Sequence, residues 1–329
     1  MISGRWRSQI IYAGARLGII ESLSGRAACS GEVAAELSLN PGNTYRLMRA
    51  LAAVGALEEE RIDRFRLTPL GECFLADHPT SLRGILLWEE GEMAYRSWRH
   101  LSEVVRDGGE DGCRREFGLP AFEHLGRNEE FARLFADAMT SFSRSETNMV
   151  LNALGGADLG GIRHLCDIGG GQGHLMCGLL QAYEHIRGTV VELPTTLKDK
   201  AGLLANSMGL AGRCAYVEGD MFSEVPTADA YIAKHILHDW NDGECIQILS
   251  TARLAGADGA RFFIAEYVVP GPGQPDFSKL FDVHMMVMLT GRERTEQEFI
   301  QLLDASGWKH VKTWRQPESS MAVVEGVAV

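Results

Sequence analysis

Short apolar segments alternate with helix-like ones along the second half of the chain. Runs rich in branched aliphatic and aromatic residues occupy positions 163–168, 189–193, 214–218, 229–233 and 261–268. Such alternation predicts an α/β fold with a parallel, doubly wound sheet. Ligands of such sheets bind at the carboxyl ends of the strands, so those ends are where we expect a site.

The first half of the chain has a different pattern. Ser30 is a candidate N-cap for a helix over 30–37, and an Asn-Pro pair opens a second helix over 40–54. The segment 57–67 has polar residues at its centre and predicts a small hairpin. Helices followed by such a hairpin outline a winged-helix domain.

Residues 80–150 are expected to be mainly helical, with aromatic residues spread through them. A stretch rich in Gly and Asp follows at 155–161 and is typical of a linker. We therefore expect a helical, winged-helix-like domain over residues 1–155 and the α/β domain over residues 156–329. A chain of 329 residues is long enough for two such cores.

The charge balance argues against a nucleic-acid partner. The net charge is −12, and phosphate binding depends mainly on Lys and Arg. The second helix of the N-terminal region carries only Arg46 and Arg49, and three acids follow it at 58–60. A regulator that binds DNA is thus an alternative that would need a salt-sensitive affinity to support it.

Cysteine usage and hydropathy indicate an expected location. The seven cysteines are widely spaced and contain no C-x-x-C pair, which favours reduced thiols in a cytosol. Arg16 interrupts the first apolar run, and no run approaches the roughly 18 residues of a membrane span. The sequence predicts a cytoplasmic protein without a membrane partner.

The most specific motif is a glycine-rich turn at 167–173, which follows an apolar run and precedes a helical pattern. It does not fit the dinucleotide pattern G-x-G-x-x-G, and it lacks the lysine of a phosphate-binding loop. Glu192 closes the next apolar run, where an acid can accept both hydroxyls of a ribose. These residues favour a nucleoside over a phosphate as the ligand.

This turn resembles the first nucleoside-binding motif of the S-adenosylmethionine-dependent methyltransferases. Three later segments, 219–222, 233–240 and 291–295, resemble the adenine-flanking, catalytic and late acidic segments of the small-molecule O-methyltransferases. That family includes caffeic acid and isoflavone enzymes. The resemblance covers nearly the whole chain and is strongest toward bacterial members that methylate phenazines and other aromatic natural products.

The resemblance implies a Rossmann-like class I methyltransferase domain with a terminal hairpin formed by 308–314 and 321–327. It implies that the N-terminal domain forms the interface of a homodimer and a lid over the substrate. The expected cofactor is S-adenosyl-L-methionine, with S-adenosyl-L-homocysteine as product. The residues expected to bind it are Asp167, Gly169, Gly171, Glu192, Asp220, Met221, Phe222 and Lys234.

His238 is the candidate general base for transfer of the methyl group to a hydroxyl, expected to be phenolic. A phenol has a pKa of about 10 and a free imidazole one of about 6.5, so a histidine at the hydroxyl can draw the proton away during attack. Glu266 and Glu293 match family positions that flank the base, which a carboxylate orients. An alternative for Glu293 is a surface ion pair with Arg292 or Arg294.

His235 lies close to His238 in sequence and is interpreted as structural. A metal pair with Asp239 or Asp242 is an alternative, but the spacing provides no further ligand and no metal is expected.

Aromatic and methionine side chains are expected to contact the acceptor, with ordinary core packing as the alternative. They are Phe135, Met139, Phe142, His284, Met285 and Met288. Some relatives of this family use the bound cofactor for hydroxylation, decarboxylation or pericyclic steps. Such non-methylating chemistry is the alternative function.

Overall fold

A computed structural model describes residues 2–194, 196–197, 203–317 and 319–329. Contacts within the chain divide it into two units. Unit 1 comprises residues 1–99 and 116–144, and unit 2 comprises residues 100–115 and 145–329.

The N-terminal elements follow the predicted order of helices and then a hairpin. They are α1 (Gly4–Arg16), α2 (Ile19–Ser22), α3 (Ser30–Leu37), α4 (Pro41–Ala53), β1 (Leu57–Arg61), β2 (Arg64–Leu67), α5 (Pro69–Glu72), α6 (Arg83–Glu89) and α7 (Glu92–Ser97). The side chain of Asn40 caps α4 by accepting from the N–H of Asn43 at 3.0 Å, as the Asn-Pro pair predicts.

One predicted cap is wrong by a residue. The N-cap of α3 is Cys29, whose Sγ accepts from the N–H of Glu32 at 3.4 Å. The Glu32 carboxylate accepts from the N–H of Cys29 at 2.7 Å and completes a capping box. Ser30 is the first helical residue, and its N–H donates to Asp63 at 2.9 Å instead.

The next helices confirm the helical prediction for residues 80–150. They are α8 (Leu101–Asp107), α9 (Gly112–Phe117), α10 (Ala121–Arg127) and α11 (Glu129–Leu154). The C-terminal part of α11 contributes Val150 and Leu154 to the core of unit 2. The stretch rich in Gly and Asp at 155–161 therefore lies inside unit 2.

Unit 2 contains the sheet and its helices. Its remaining elements are β3 (His164–Ile168), α12 (His174–Ala182), β4 (Arg187–Glu192), α13 (Leu204–Ser207), β5 (Cys214–Glu218), β6 (Ala230–Lys234), α14 (Asp242–Ala255), β7 (Arg261–Val269), α15 (Ser278–Met288), β8 (Arg294–Thr295), α16 (Glu296–Ala305), β9 (Trp308–Arg315) and β10 (Met321–Ala328).

The sheet confirms the predicted doubly wound topology. Its order is β5-β4-β3-β6-β7-β10-β9, with β8 paired to β7. Strands β3 to β7 are parallel, and the predicted terminal hairpin adds β10 antiparallel to β7. The order reverses between β3 and β6, which is the switch point where such sheets bind ligands.

Alternate residues of each strand supply two apolar layers. On β7, Phe263 and Ala265 pack in one core cluster, and Phe262 and Ile264 pack in the other. A strand buried on both faces is apolar at nearly every position, which explains why these strands are visible in the sequence as continuous apolar runs.

Within the described residues, no helix is long and apolar enough to cross a membrane.

Candidate active site

The glycine turn follows β3 at the switch point. Gly169, Gly171 and Gly173 have φ angles of +68°, +55° and +84°, a region that favours glycine. A Cβ at Gly169 would lie 2.4 Å from Cδ1 of Ile236, so the backbone there packs closely on the β6 side. A Cβ at Gly171 would meet no described atom within 4 Å. The turn is therefore open on the side of Gly171.

Glu192 is the last residue of β4 and lies against this turn. Its Oε2 accepts from the N–H of Gly171 at 3.0 Å, and its Oε1 accepts from the N–H of Leu193 at 2.8 Å. A backbone donor thus fixes each carboxylate oxygen. The acid is held beside the open part of the turn.

Asp167 is a buried carboxylate within the same edge. It is 1% exposed, and its Oδ2 has no hydrogen-bond partner among the residues that the structure describes. Burial raises the pKa of Asp167 to about 7, with a smaller rise from Glu192 and an opposing effect of Lys234. A buried oxygen without a partner fits a site that a polar ligand completes.

The adenine-flanking segment follows β5. Asp220 is exposed, and its carboxylate accepts from the N–H of Phe222 at 3.0 Å and from the hydroxyl of Ser223 at 3.2 Å. The ring of Phe222 lies edge-on to Trp240, with centroids 4.8 Å apart. Met221 is half-buried and, like Phe222, packs on the core cluster that contains Phe262 and Ile264. The segment therefore offers one exposed acid next to an apolar surface.

The structure brings the predicted cofactor residues to one edge. Asp167, Glu192 and Lys234 lie at or next to the carboxyl ends of parallel neighbours β3, β4 and β6. The ammonium group of Lys234 is paired within the protein, because its Nζ lies 2.9 Å from Oε2 of Glu146. An open glycine turn, a fixed acid and an unsatisfied buried carboxylate fit a nucleoside ligand that has hydroxyl groups and a cationic amino group.

His238 lies in a 3-10 turn, Leu237–Asp239, that follows β6. Its Nδ1 donates to Oε1 of Glu293 at 2.7 Å. A carboxylate only accepts, so this bond places a proton on Nδ1 and leaves Nε2 for another partner. Nε2 lies 3.3 Å from Oδ1 of Asp239.

Glu266 supports the turn more than the ring. Its Oε1 accepts from the N–H groups of Ile236 and Leu237 at 3.0 and 2.9 Å, and its Oε2 lies 3.8 Å from Nδ1 of His238. Glu266 lies inside β7, which continues to Val269. Val268 and Val269 at the end of the same strand pair with β8.

Glu293 is buried and not part of a surface ion pair. It is 4% exposed, and its N–H donates to Asp282 at 3.0 Å. The neighbouring arginines pair with Asp242 instead, Arg292 at 2.9 Å and Arg294 at 2.8 Å. The surface alternative for Glu293 is thus contradicted.

Three carboxylates surround the His238 ring and decide its protonation. Burial by itself disfavours the imidazolium, but the charges of Glu266, Asp239 and Glu293 outweigh burial and raise the pKa of His238 to about 10. Burial raises the pKa of Asp239 to about 6 and raises that of Glu293, with His238 opposing both. The imidazole is therefore a strong base that holds its proton tightly.

The expected acceptor residues fall in both units. In unit 1, Phe135 lies against Trp88 and Phe122, with ring centroids 5.2 and 6.2 Å apart, and Met139 and Phe142 are half-buried on the same helix.

In unit 2, His284, Met285 and Met288 are buried on α15. Burial and the charge of His238 lower the pKa of His284 to about 4, so its ring is neutral. His284 stacks on Phe281, whose ring lies 5.9 Å from that of His238.

Three residues that contact His235 or His238 were not among the predicted site residues: Glu146, Tyr267 and Phe281. Glu146 lies one helical turn before the buried Val150, so an acid on the buried face of α11 was an available signal. The contacts of Tyr267 and Phe281 join segments that are distant in the sequence, so no local pattern indicates them.

His235, His238 and Glu266 bring three ligand-type atoms within 4.8 Å of one another. Both ring nitrogens of His235 face carboxylate oxygens, at 3.0 and 3.3 Å. This favours a protonated ring, which has no lone pair to offer a metal. We therefore treat the three side chains as an ion-pair cluster.

Comparison with known proteins finds relatives of one kind. The family model of the O-methyltransferase domain matches residues 98–309, and that of the O-methyltransferase dimerisation domain matches residues 1–77. The phenazine O-methyltransferase PhzM of Lysobacter antibioticus is 33% identical over 309 residues, which cover 94% of this chain and 89% of the relative.

Two further proteins extend the comparison. An O-demethylpuromycin-O-methyltransferase of Streptomyces alboniger is 31% identical, with 96% of this chain and 84% of the relative covered. The crystal structure of human N-acetylserotonin methyltransferase in complex with SAM superposes with a TM-score of 0.90 at 25% identity, covering 99% of this chain and 95% of that chain. The names of these relatives describe methyl transfer and give no support to non-methylating chemistry.

Proposed function

This chain belongs to the O-methyltransferase family, whose members depend on S-adenosylmethionine, and we propose that it methylates a phenolic hydroxyl of a small aromatic metabolite. The observation that carries the proposal is the 2.7 Å bond between His238 and Glu293. It orients an imidazole at the same edge of the sheet as the glycine turn. Orienting the reacting groups supplies a large part of the acceleration in such transfers.

We infer that S-adenosylmethionine binds at the switch point. Glu192 would accept the ribose hydroxyls, and the unsatisfied oxygen of Asp167 would accept from a polar group of the ligand. Gly169 and Gly171 let the backbone approach the ligand closely. When bound, the cofactor supplies an electrophilic methyl group on a positively charged sulfur.

The adenine is assigned to the segment after β5. Asp220 is exposed where it can accept from the adenine amine, and Met221 and Phe222 offer apolar contact to the ring. Lys234 supports this edge through Glu146, to which its Nζ is bound.

In the proposed reaction, Nε2 of His238 takes the proton of the acceptor hydroxyl. Glu293 holds Nδ1–H, which fixes the tautomer and stabilises the imidazolium that forms. Glu266 holds the backbone of the turn and thereby the position of the ring. His238 is thus the catalytic base of this proposal, and Glu266 and Glu293 are the residues that position it.

The acceptor is proposed to be flat and aromatic. His284, Met285 and Met288, which are buried on α15, are the residues of unit 2 that we assign to its binding. The expected acceptor contacts of Phe135, Met139 and Phe142 stay a prediction. Methionine and aromatic side chains form adaptable apolar walls for such molecules. The dimerisation domain over residues 1–77 supports a homodimer as the working assembly.

Native mass spectrometry with and without S-adenosylmethionine tests the binding step. We expect a dimer that gains one cofactor mass per chain. Absence of binding at concentrations well above micromolar would contradict the cofactor assignment.

A methylation assay with hydroxyphenazines and simple phenols tests the reaction. Replacing His238 by Ala is expected to retain cofactor binding and to slow transfer by a factor of about 10² to 10⁴. His310→Ala is the matched control, because the His310 ring bonds to Thr313 on β9. Unchanged turnover in His238→Ala would contradict the assignment of the base, and a product without an added methyl would contradict transfer.

A further inference from the structure

A buried acid, Glu146, gathers three donors behind the catalytic turn. It is 1% exposed. Its Oε2 accepts from Lys234 at 2.9 Å, and its Oε1 accepts from His235 Nε2 at 3.0 Å and from the hydroxyl of Tyr267 at 2.7 Å. Burial would raise the pKa of Glu146, but the charges of His235 and Lys234 outweigh burial and hold it well below its usual range. The acid is therefore ionised.

His235 lies between two carboxylates. Its Nε2 bonds to Glu146, and its Nδ1 lies 3.3 Å from Oε2 of Glu266, close enough for an ion pair although the atoms are not aligned as a hydrogen bond. A neutral imidazole would turn a lone pair toward one of these carboxylates, whereas an imidazolium presents a proton to each. Burial alone would lower the pKa of His235, but Glu146 raises it.

The backbone holds the ring in this position. His235 has a φ of +52°, in the left-handed region that non-glycine residues seldom adopt. Its N–H donates to the carbonyl of Ala265 at 3.2 Å. The ring centroid lies 4.8 Å from that of His238 and 4.8 Å from that of Tyr267. Such local strain persists only where surrounding contacts maintain it.

Around His235 and His238, negative charges outnumber positive ones unless His235 itself carries a positive charge. The groups that face the pair from the neighbouring elements are Glu146, Lys234, Asp239, Glu266, Tyr267, His284 and Glu293. Four of these are carboxylates, and one is a cation. A general base must be able to exist as the neutral imidazole, yet three carboxylates favour its protonated form. A positive charge in addition to that of Lys234 is needed to offset these carboxylates.

We propose that His235 is a positioning residue that stays protonated, held so by Glu146, and that its charge offsets Glu266 so that His238 can release its proton. The proposal rests on the proposed function, in which His238 is the base. Oε2 of Glu266 lies between Nδ1 of His235 at 3.3 Å and Nδ1 of His238 at 3.8 Å. A cation on His235 thus weakens the hold of Glu266 on the His238 proton and repels a positive charge on the His238 ring.

The protonation state is measured directly by NMR of ring nitrogens in protein labelled with ¹⁵N at its ten histidines. Signals of His235 and His238 are assigned from variants that lack each ring. In the wild-type protein we expect His238 to lose its proton first as the pH rises. Loss of the proton from His235 before His238 would overturn the proposal.

Two variants remove the cation in different ways. His235→Asn removes the ring, and Asn tolerates a left-handed backbone. It is expected to move the titration of His238, and the acid limb of kcat, to higher pH by about one unit or more. Glu146→Gln keeps the shape of the side chain and is expected to move the titration of His235 to lower pH. His185→Asn is the matched control, because its ring bonds to the carbonyl of Leu159.

A merely structural role predicts a different result. In that case kcat would fall equally at every pH, and the titration of His238 would not move; either observation in His235→Asn overturns the proposal. An unmoved titration of His235 in Glu146→Gln overturns the role of Glu146. The NMR titration needs no acceptor, so a wild-type protein that fails to methylate any phenol disproves the proposed function separately from the charge arrangement.

Discussion

Glu293 holds His238 through one short bond, 2.7 Å from its Oε1 to Nδ1 of the ring. The second acid nearby, Glu266, uses one oxygen on the backbone N–H groups of the turn instead. One carboxylate therefore controls the ring and the other controls the backbone that carries it. The two acids are not interchangeable.

Replacing Glu293 by Gln is expected to lower kcat by about 10²-fold, because the amide can no longer stabilise the imidazolium that forms. Loss of a carboxylate also lowers the pKa of His238, so the acid limb of the pH–rate profile moves to lower pH. Glu296→Gln, at an exposed ion pair with Arg315, is the control. An unchanged kcat, or a limb displaced to higher pH, would contradict the assigned role.

The wild-type enzyme is expected to become more active with rising pH well beyond the range of an ordinary imidazole. The pKa of His238 is raised to about 10, so the neutral form that accepts a proton increases up to that pH. Measured as kcat/KM, which reports the free enzyme, activity should rise from pH 7 to about pH 9.5. A plateau that begins near pH 7 would show that the carboxylates do not control the base.

The same shift has a consequence for stability. A histidine whose pKa is raised in the folded state stabilises that state fully below its unfolded value of about 6.5. This stabilisation is lost as the pH rises through about 10. We expect the melting temperature of the wild-type protein to fall more steeply than that of His238→Asn between pH 7 and pH 10. Parallel curves would contradict the raised pKa.

Gly171 and Gly209 form a matched pair for testing the glycine turn. Both have positive φ, +55° and +70°, and a Cβ at either position would meet no described atom within 4 Å. Substitution by alanine should reduce the free energy of unfolding by about 1–2 kcal/mol at either position, because a left-handed backbone is unfavourable for an L-residue that has a Cβ. Only Gly171→Ala should weaken binding of S-adenosylmethionine in calorimetry. Equal affinities in the two variants would place the ligand elsewhere.

Two neighbouring arginines are expected to differ in their contribution to stability. Arg294 is fully buried, and it donates to the carbonyls of Leu237 and Trp240 at 2.7 and 2.8 Å. Arg294→Ala removes both of these charge-assisted bonds and should reduce the free energy of unfolding by about 2–4 kcal/mol. Replacing Arg292 by Ala should reduce the free energy of unfolding by less than about 1 kcal/mol, because Arg292 is exposed and only shares the ion pair with Asp242. Denaturant unfolding measures both, and equal losses would contradict the assignment.

Much of the sheet could be predicted because its signals are local. A parallel strand that is buried on both faces is apolar throughout, so the runs that became β3 to β7 are visible one by one. The positions of Asp167 and Glu192 followed, since residues at the ends of such strands share one edge of the sheet. Hydrophobic pattern therefore located the edge where the site lies.

The details that were missed depend on contacts between distant segments. The side chain of Cys29 replaced Ser30 as a cap because the N–H of Ser30 bonds to Asp63 in the hairpin. Glu266 lies inside its strand, where it pairs with Ala322 of β10. No periodicity in one segment encodes a hydrogen bond to another, so such differences appear only in the folded chain.

Because Glu146 accepts from three donors, its position is expected to change in evolution only together with theirs. An apolar residue at that position would remove the carboxylate partner of the buried Lys234 ammonium and of Nε2 of His235, and would leave the hydroxyl of Tyr267 without its acceptor. A change at any one of the four positions alone is therefore costly. Among natural relatives we expect these four residues to be inherited or exchanged as a set, so that covariation between the middle of α11 and the ends of β6 and β7 records a shared charge balance.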